Sequence, residues 1–256
     1  MIDLEKLLDI AKKASLAAGS EIIKIYKSDD FSFESKADDS PLTRADKAAH
    51  NKIVSLLEKT GIPILSEEGR NIPFNERSKW EYFWMVDPLD GTKEFIKRNG
   101  EFTVNIALIH KGSPILGVVH PPVLRTLYWG LKDKGAFKKT NGNVHKLKVS
   151  NRSLNDEGLK VVASRSHMSD QTQEFVDSLK APEVVSKGSS LKFLLVASGE
   201  ADVYPRFGPT MEWDTAAAHA IVSEAGGTVV KEDETTPLSY NKDNLLNPSF
   251  IVLPFQ

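Results

Sequence analysis

The chain has 256 residues, with 33 Lys and Arg against 35 Asp and Glu and a formal net charge of −2. This near balance argues against a protein that coats nucleic acid or an anionic membrane, and 40% hydrophobic with 27% charged residues is typical of a soluble globular protein. Because the chain contains no cysteine, disulfide scaffolds, thiolate metal sites and cysteine nucleophiles are excluded, and any metal must bind oxygen or imidazole.

The first part of the chain is predicted to form two helices and then a sheet. Apolar residues at three- and four-residue steps between Leu4 and Ile25 predict a long amphipathic helix, and a second helix is expected over residues 44–59. Five short apolar or alternating runs follow, and we interpret them as strands over residues 62–65, 82–86, 102–109, 115–119 and 126–129. A lysine-rich, turn-rich stretch over 132–155 comes next and is interpreted as the solvated face of a hairpin.

The later part is predicted to alternate strands and helices. Strands are expected over 159–163, 201–204, 228–231 and 250–253, and helices over 168–180, 190–197 and 214–225. We therefore predict an α+β lobe over 1–153 and an α/β lobe over 154–256, which form one catalytic unit with the site in the cleft between them. The start of the chain lacks a signal-peptide pattern and no apolar run is long enough to span a bilayer, so a cytoplasmic protein is expected.

An acidic motif follows the predicted strand over 82–86. Pro88 fixes φ and disfavours helix at Asp87, while Gly91 permits a backbone geometry that other residues avoid. We expect a rigid turn that aims Asp87 and Asp90 at one point, followed by a short helix that begins at Thr92 and presents free N–H groups to a phosphate. For a lone pair of acids at this spacing, a turn in which both merely cap backbone N–H groups is an equally good interpretation.

Three further carboxylates lie at the ends of predicted elements. Glu67 follows a strand, Asp214 begins the late helix and Asp46 lies in the first turn of the second helix. Singly, each is interpreted as a solvated turn acid or a helix cap. If these acids converge on one cleft, each like-charged pair at about 4 Å costs on the order of 4 kcal/mol at an effective dielectric near 20. Divalent cations bound between the carboxylates would turn this unfavourable interaction energy into a favourable one. Oxygen ligands favour Mg²⁺, and such a site suits metal-assisted hydrolysis of a phosphate ester.

Two sequence motifs resemble those of the inositol monophosphatase superfamily of lithium-sensitive, magnesium-dependent phosphatases. They are WMVDPLDGT over 84–92 and EWDTAA over 212–217, which runs on to EAGG over 224–227. Within the superfamily the chain is most similar to the CysQ-type 3′(2′),5′-bisphosphate nucleotidases, through the block over 90–105 and shorter matches over 35–41, 164–167, 188–193 and 204–209. The resemblance covers nearly the whole chain and implies an α/β fold, a layered αβαβα sandwich of the sugar-phosphatase type.

The resemblance also implies roles for individual residues. Two or three Mg²⁺ ions would be held, one by Glu67, Asp87 and the backbone carbonyl of Leu89, and another by Asp87, Asp90 and Asp214. Asp46 and Thr92 would orient and deprotonate the attacking water, with no covalent intermediate. Glu68 is interpreted as a neighbour of the ligands rather than one of them.

Substrate recognition is expected to involve cationic residues of the later lobe. The residues implied to contact substrate are Gly91, Thr92, His167, Ser189, Lys192, Arg206 and Asp214. Lys192 and Arg206 would meet a second phosphate. Taken alone, Lys192 fits a solvated helix residue, Arg206 a partner for an acid and His167 a surface histidine.

The expected reaction is Mg²⁺-dependent hydrolysis of the 3′-phosphate of 3′-phosphoadenosine 5′-phosphate (PAP) to AMP, and also of PAPS to APS. One alternative is a sugar phosphatase of the inositol monophosphatase type. Another is a haloacid dehalogenase-like phosphatase, although its DxDGT-type motif spaces the acids by two rather than three. A nucleotide or Mg²⁺ sensor without turnover is the alternative of another class. The expected partner is a small bisphosphate nucleotide, with no nucleic acid or integral membrane segment, and the resemblance allows peripheral association with the inner face of the cell membrane.

Overall fold

A computed structural model of the chain describes residues 2–28, 33–35, 41–163 and 168–254. The described residues form helices α1 (Leu4–Tyr26), α2 (Arg44–Leu57), α3 (Phe74–Arg77), α4 (Thr92–Ile96), α5 (Asp170–Asp177), α6 (Leu191–Ala197) and α7 (Glu212–Glu224). The strands are β1 (Phe33–Ser35), β2 (Pro41–Thr43), β3 (Ile64–Ser66), β4 (Tyr82–Asp90), β5 (Thr103–His110), β6 (Ser113–His120), β7 (Thr126–Leu131), β8 (Gly135–Thr140), β9 (Asn143–Lys146), β10 (Lys160–Ala163), β11 (Glu183–Ser186), β12 (Tyr204–Arg206), β13 (Thr228–Lys231) and β14 (Phe250–Leu253).

The central sheet runs in the order β3-β4-β5-β6-β7-β8-β9, with β3 parallel to β4 and each later pair antiparallel. Side chains alternate between its faces, so in β4 Trp84 and Val86 join the core beneath α1 and α2, while Phe83 and Met85 join the core beneath α6 and α7. Because helices cover both faces, the middle of β4 is a continuous buried run rather than an alternation of buried and exposed residues.

A second sheet lies beyond α6 and α7. It has the order β12-β14-β13, and β10 with β11 joins it through a bridge between Val161 and Val203. Its inner residues, such as Val229 and Val252, pack in the core with α6 and α7, and its outer residues, such as Ile251, pack with Phe175 of α5. The layers of the described residues are therefore α1/α2, central sheet, α6/α7, second sheet and α5, which confirms the predicted αβαβα sandwich.

Close packing of α7 on the central sheet determines the position of its N-terminal turn in the fold. A Cβ atom added to Gly117 of β6 would lie only 2.0 Å from the carbonyl oxygen of Ala217 in α7, so only glycine allows this approach. The alanine-rich face of α7 keeps the contact short. The first turn of α7, which carries Asp214, is thus carried to the end of β4.

Most predicted elements are present, but the acidic motif differs in form. The prediction that the strand ends at Val86 and a turn follows was wrong, because β4 continues to Asp90 and stays paired with β5. The register shifts between Asp87 and Asp90, so the residues between them form a β-bulge. Pro88 fits this bulge because its fixed φ suits extended backbone and the position needs no ladder N–H.

The other differences concern short elements and boundaries. The helix expected over 168–180 is shorter, because Ser169 caps α5 by accepting from the N–H of Thr172. The strand expected over 201–204 is found as β12, two to three residues later, and β1, β2, α3 and β11 were not predicted. The lysine-rich stretch contains the expected hairpin, β8 with β9. None of the helices in the described part combines the length and apolar character that a bilayer crossing requires.

Candidate active site

A cleft of about 690 Å³ opens where β4 ends and α6 and α7 begin. Its lining includes the carboxylates of Asp90 and Asp214 and the cations of Lys192 and Arg206. Residues from both predicted lobes therefore meet here. We call Glu67, Asp87, Asp90 and Asp214 the acidic corner, and Lys192 with Arg206 the cationic wall.

The bulge of β4 fixes the first part of the acidic corner. The buried Asp87 accepts a hydrogen bond from the N–H of Leu89 through Oδ1 (2.9 Å), which bridges Pro88. Gly91 follows with φ +92°, and a Cβ there would lie 3.1 Å from both the Glu101 carbonyl oxygen and Ser189 Cβ. The positive φ favours glycine at this position, and a Cβ there would also press on both neighbours.

Each of the three aspartates of the acidic corner accepts a hydrogen bond from a backbone N–H. Asp87 uses the N–H of Leu89, Asp90 Oδ2 the N–H of Ser190 (2.6 Å), and Asp214 Oδ2 the N–H of Met211 (2.8 Å). In the parts of the chain that the structure describes, the second oxygen of Asp90 and of Asp214 has no hydrogen-bond donor. The carboxylates are thus fixed in orientation while retaining oxygen atoms that can bind a cation.

Like charges accumulate in this corner. Backbone pairing of β3 with β4 places Glu67 beside Asp87, since the Glu67 N–H donates to the Val86 carbonyl (3.1 Å) and the two carboxyl groups share a hydrogen bond. Burial, then Glu67, Asp90 and Asp214, raise the pKa of Asp87 well above its ordinary value. Burial and then Asp90 likewise raise the pKa of Asp214, although the Met211 N–H opposes the shift. A cation between these groups would remove the repulsion.

The donor set fits Mg²⁺ rather than a softer metal. All side chains of the corner are carboxylates, the ligands that hard divalent cations prefer. Within the described ranges, no group of three or more His, Asp or Glu side chains is arranged to hold a metal ion by itself. Carboxylate oxygens nevertheless suit Mg²⁺, which keeps several waters and shares its coordination with substrate phosphate.

Asp46 and Thr92, predicted as a pair, are brought together by α2 and α4. Asp46 is 1% exposed, and its Oδ1 lies 3.3 Å from Thr92 Oγ1, which also lies 3.3 Å from the Leu89 carbonyl oxygen. The hydroxyl has one hydrogen, and both neighbours are acceptors. Its lone pairs therefore remain available to accept a hydrogen bond from water.

The cationic wall is held by backbone carbonyls instead of carboxylates. Lys192 Nζ donates to the Ser189 carbonyl (2.8 Å) and lies 5.6 Å from the centre of the Tyr204 ring. The Arg206 guanidinium donates to the Pro209 carbonyl (3.0 Å), and its buried Nε has no hydrogen-bond partner among the described residues. Burial lowers the pKa of Lys192, an effect that nearby Asp90 opposes. Neither cation forms a salt bridge with another described residue, so both can accept an anion.

Other predicted site residues are placed as follows. His167 lies outside the described residues, as do its neighbours over 164–166 and most of the matching segment over 35–41. Glu68 lies close enough to His50 to raise the pKa of that histidine, against the larger lowering by burial. Ser189 lines the cleft, and its Oγ is 3.1 Å from Thr103 Oγ1.

Ser190 and Asn105, which lie around Asp90, were not singled out from the sequence. Ser190 donates to Asp90, and Asn105 contacts Ser190. Both lie within blocks that carried the family resemblance, 188–193 and 90–105, and this was the available signal. No spacing rule connects residues so far apart in the chain.

A family model described as "Inositol monophosphatase family" matches residues 3–252. A relative from Salmonella typhimurium is 45% identical over 253 residues, which is 97% of this chain and 98% of the relative, and is named 3′(2′),5′-bisphosphate nucleotidase CysQ. A relative of the same name from Escherichia coli strain K12 is 45% identical over 250 residues, which cover 96% of this chain and 99% of that protein.

Solved structures show the same fold. The crystal structure of CysQ from Bacteroides thetaiotaomicron, described as a bacterial member of the inositol monophosphatase family, has 43% identity, a TM-score of 0.89 and 98% coverage of both chains. The inositol monophosphatase from Anabaena has 27% identity and a TM-score of 0.74, and the match covers 100% of this chain and 92% of that one. The similarity therefore extends across both predicted lobes.

Proposed function

The chain belongs to the inositol monophosphatase family, and from this premise we propose that it is a 3′(2′),5′-bisphosphate nucleotidase that hydrolyses the 3′-phosphate of PAP to give AMP and phosphate. The observation that carries the proposal is one cleft lined both by carboxylates and by two cations that pair with no carboxylate of the described residues. A substrate with two phosphate groups satisfies both sets of groups. Relatives with 45% identity and nearly full coverage bear the nucleotidase name.

The residues that would hold Mg²⁺ are Glu67, Asp87, the carbonyl of Leu89, Asp90 and Asp214, with two or three ions in all. When bound, Mg²⁺ supplies charge neutralisation and polarises both the phosphate ester and the attacking water. The protein contributes orientation, because a backbone N–H already fixes each aspartate. The conformational cost of arranging three carboxylates is thus met during folding rather than during binding.

Asp46 and Thr92 would activate the attacking water. If the Thr92 hydroxyl donates its hydrogen to Asp46 Oδ1, its oxygen can only accept a hydrogen bond from the water. The lone pairs of that water are then directed away from Thr92 and are free to attack the phosphorus of the substrate. The proton released by the attack passes through Thr92 to Asp46, a buried base in the first turn of α2. No step requires a covalent bond to the protein.

The cationic wall would hold the phosphate that is not hydrolysed. Lys192 and Arg206 are positioned by backbone carbonyls, so they meet an anion without first breaking an ion pair. Charge-assisted hydrogen bonds to phosphate are about twice as strong as neutral ones, and partial burial strengthens them further. Ser189 and His167 would add hydrogen bonds to the nucleotide. PAPS, which carries the same 3′-phosphate, is a second substrate under this proposal.

A substrate panel tests the assignment. Phosphate release is measured from PAP, PAPS and inositol 1-phosphate at equal concentration, with Mg²⁺ and with excess EDTA. We expect kcat/KM for PAP to exceed that for inositol 1-phosphate by at least about 100-fold, because the inositol ester leaves Lys192 and Arg206 without a partner. EDTA should abolish release.

Two other outcomes would redirect the assignment. Preference for inositol 1-phosphate would refute the nucleotidase and favour a sugar phosphatase with the same acidic corner. A folded protein that binds bisphosphate nucleotides but hydrolyses none of them would favour a sensor.

We also propose that the lobes over 1–153 and 154–256 form one catalytic unit, because Asp214 of the second must complete a site that begins in the first. One hydrophobic core already contains residues of both, such as Met85 and Ile221. Lobes expressed separately should show no PAP hydrolysis, and hydrolysis by either lobe alone would refute the proposal that both are needed for one catalytic unit.

We further propose a cytoplasmic location, with peripheral association at the inner face of the cell membrane. Fractionation of native cells tests this location.

A further inference from the structure

The segment that precedes α6 is joined to the start of β5 by side chains that alternate along the chain. Glu101 accepts from the N–H of Gly188 (2.9 Å), the Thr103 and Ser189 hydroxyls lie 3.1 Å apart, and Asn105 Nδ2 donates to Ser190 Oγ (2.8 Å). Thr103 and Asn105 share one side of β5, and Glu101 lies just before the strand; the three meet three consecutive residues, 188, 189 and 190. We call this set of contacts the seam.

Ser190 connects the seam to the acidic corner. Both its N–H and its hydroxyl lie 2.6 Å from Asp90 Oδ2, and the hydroxyl is also 2.9 Å from the carbonyl oxygen of Asp214. Ser190 thus contacts one carboxylate residue from each predicted lobe. It is 2% exposed, so water does not compete for these contacts.

Counting protons decides the direction of these bonds. The amide of Asn105 donates to Ser190 Oγ, so the hydroxyl accepts there and must direct its one hydrogen to another group. Asp90 Oδ2 is closer than the Asp214 carbonyl and carries charge, so it takes the hydrogen. Asp90 therefore receives two short bonds on the same oxygen, and its other oxygen is the one left for a ligand.

We infer that Ser190 is a positioning residue for metal binding, and that Asn105 orients its hydroxyl. Ser190 fixes the carboxylate of Asp90 from the opposite lobe and thereby sets the affinity of the corner for a divalent cation. The inference rests on the proposed function, because it presumes that Asp90 is a metal ligand. Lys192 lies two residues further along α6, so the same seam also sets the spacing between the acidic corner and the cationic wall.

The test measures Mn²⁺ binding by the loss of the free-ion EPR signal, at a temperature where every variant is folded. Ser190→Ala should weaken Mn²⁺ affinity by about 10- to 100-fold, the usual effect of removing a partner of a metal ligand. Ser190→Thr, which retains the hydroxyl, should recover most of the affinity. Ser198→Ala, at the far end of α6 where the hydroxyl contacts Leu195 and Glu200, serves as the matched control and should bind like the wild type.

Asn105→Ala supplies a second route if Ser190→Ala does not fold. It should weaken Mn²⁺ binding by a smaller factor, because the Asn105 amide donates to Ser190 Oγ at 2.8 Å but reaches Asp90 Oδ2 only at 3.5 Å. The double variant should therefore bind Mn²⁺ little worse than Ser190→Ala. Melting temperature alone would respond to any loss of packing, whereas the Mn²⁺ affinity of folded protein would not.

The outcomes separate this inference from the proposed function. Equal Mn²⁺ binding by the wild type and Ser190→Ala would overturn the inference alone. A wild-type protein that binds no Mn²⁺ would overturn the inference and the metal-dependent function together. Normal Mn²⁺ binding without PAP hydrolysis would overturn the nucleotidase and leave the role of Ser190 to be decided by the affinity ratio.

Discussion

The acidic corner and the cationic wall face one cleft but are built on opposite principles. In the corner, backbone N–H groups hold like-charged carboxylates in proximity, and burial, followed by the neighbouring carboxylates, raises the pKa of Asp87 and of Asp214. In the wall, neutral carbonyls hold Lys192 and Arg206, and no described carboxylate pairs with them. Backbone groups position the side chains of both regions, but electrostatic repulsion between close carboxylates is a feature of the corner.

This difference indicates what each region binds. The corner is unfavourable until a cation neutralises it, so it is suited to a metal and to the charge that develops at the reacting phosphate. The wall carries unneutralised positive charge, and the orphaned Nε of Arg206 marks an unfilled donor. Neutralising a charge in the corner should therefore change turnover and the stability of the metal-free protein, whereas neutralising one in the wall should change mainly the binding of substrate.

The largest expected effect is in the corner. Asp87→Asn retains an acceptor for the Leu89 N–H but removes a buried charge, so turnover of PAP should fall by at least about 100-fold. The metal-free protein should melt at a higher temperature, because repulsion with Glu67, Asp90 and Asp214 is relieved. Steady-state kinetics and thermal melting in EDTA measure both.

Asp9→Asn, on the exposed face of α1, is the matched control and should change neither quantity. A lower melting temperature of metal-free Asp87→Asn would contradict the comparison, because it would show that the Asp87 charge stabilises the corner.

A smaller effect is expected in the wall. Lys192→Met keeps the aliphatic chain over Tyr204 but removes the charge, and should lower kcat/KM for PAP by about 10- to 100-fold, mostly through KM. Residual hydrolysis of a substrate with one phosphate should hardly change. Lys138→Met, a half-buried lysine paired with Glu200 outside the cleft, is the control. Equal losses on both substrates would mean that Lys192 serves the reacting phosphate.

The smallest effect concerns pH. In the folded, metal-free protein the pKa of Asp87 lies above the unfolded value of 3.8, so above that pH the folded state binds more protons and stability falls as pH rises through the raised pKa. Each extra proton contributes about 1.4 kcal/mol per pH unit, or roughly 3 to 5 °C in melting temperature for a chain of this size. Thermal melts in EDTA between about pH 5 and pH 8 should show this decline, and saturating Mg²⁺ should flatten it.

His219 makes the opposite contribution to the pH dependence of stability, so the experiment needs a control. Burial lowers its pKa to about 4, so below its unfolded value of 6.5 it adds stability as pH rises. The Asp87→Asn variant retains this contribution from His219. The difference between wild type and variant in the slope of melting temperature against pH therefore reports the contribution of the Asp87 carboxyl group. Identical slopes would show that Asp87 does not titrate anomalously.

Local patterns predicted the long elements and the residue types of the site. The apolar periodicity of α1 and the buried run of β4 are strong because helix and strand impose different repeats on neighbouring residues. Short elements were not predicted. For example, β11 is half-exposed and polar at both ends, and it forms only because β10 lies parallel beside it. The bulge at Asp87 was mistaken for a turn because Pro and Gly signal both.

The sequence by itself determined the chemistry of the candidate site: oxygen ligands without thiols, an acidic motif ending in Gly91-Thr92, and cations in the later half. Only the tertiary structure decided how these groups meet. Ser190 reaches Asp90 across 100 positions of sequence, and Asn105 reaches Ser190 across 85. Such bonds exist because α7 packs tightly on Gly117 and brings the later half against β4 and β5. Sequence periodicity reports only the nearest neighbours of a residue, whereas the orientation of a carboxylate depends on whichever distant donor the packing delivers.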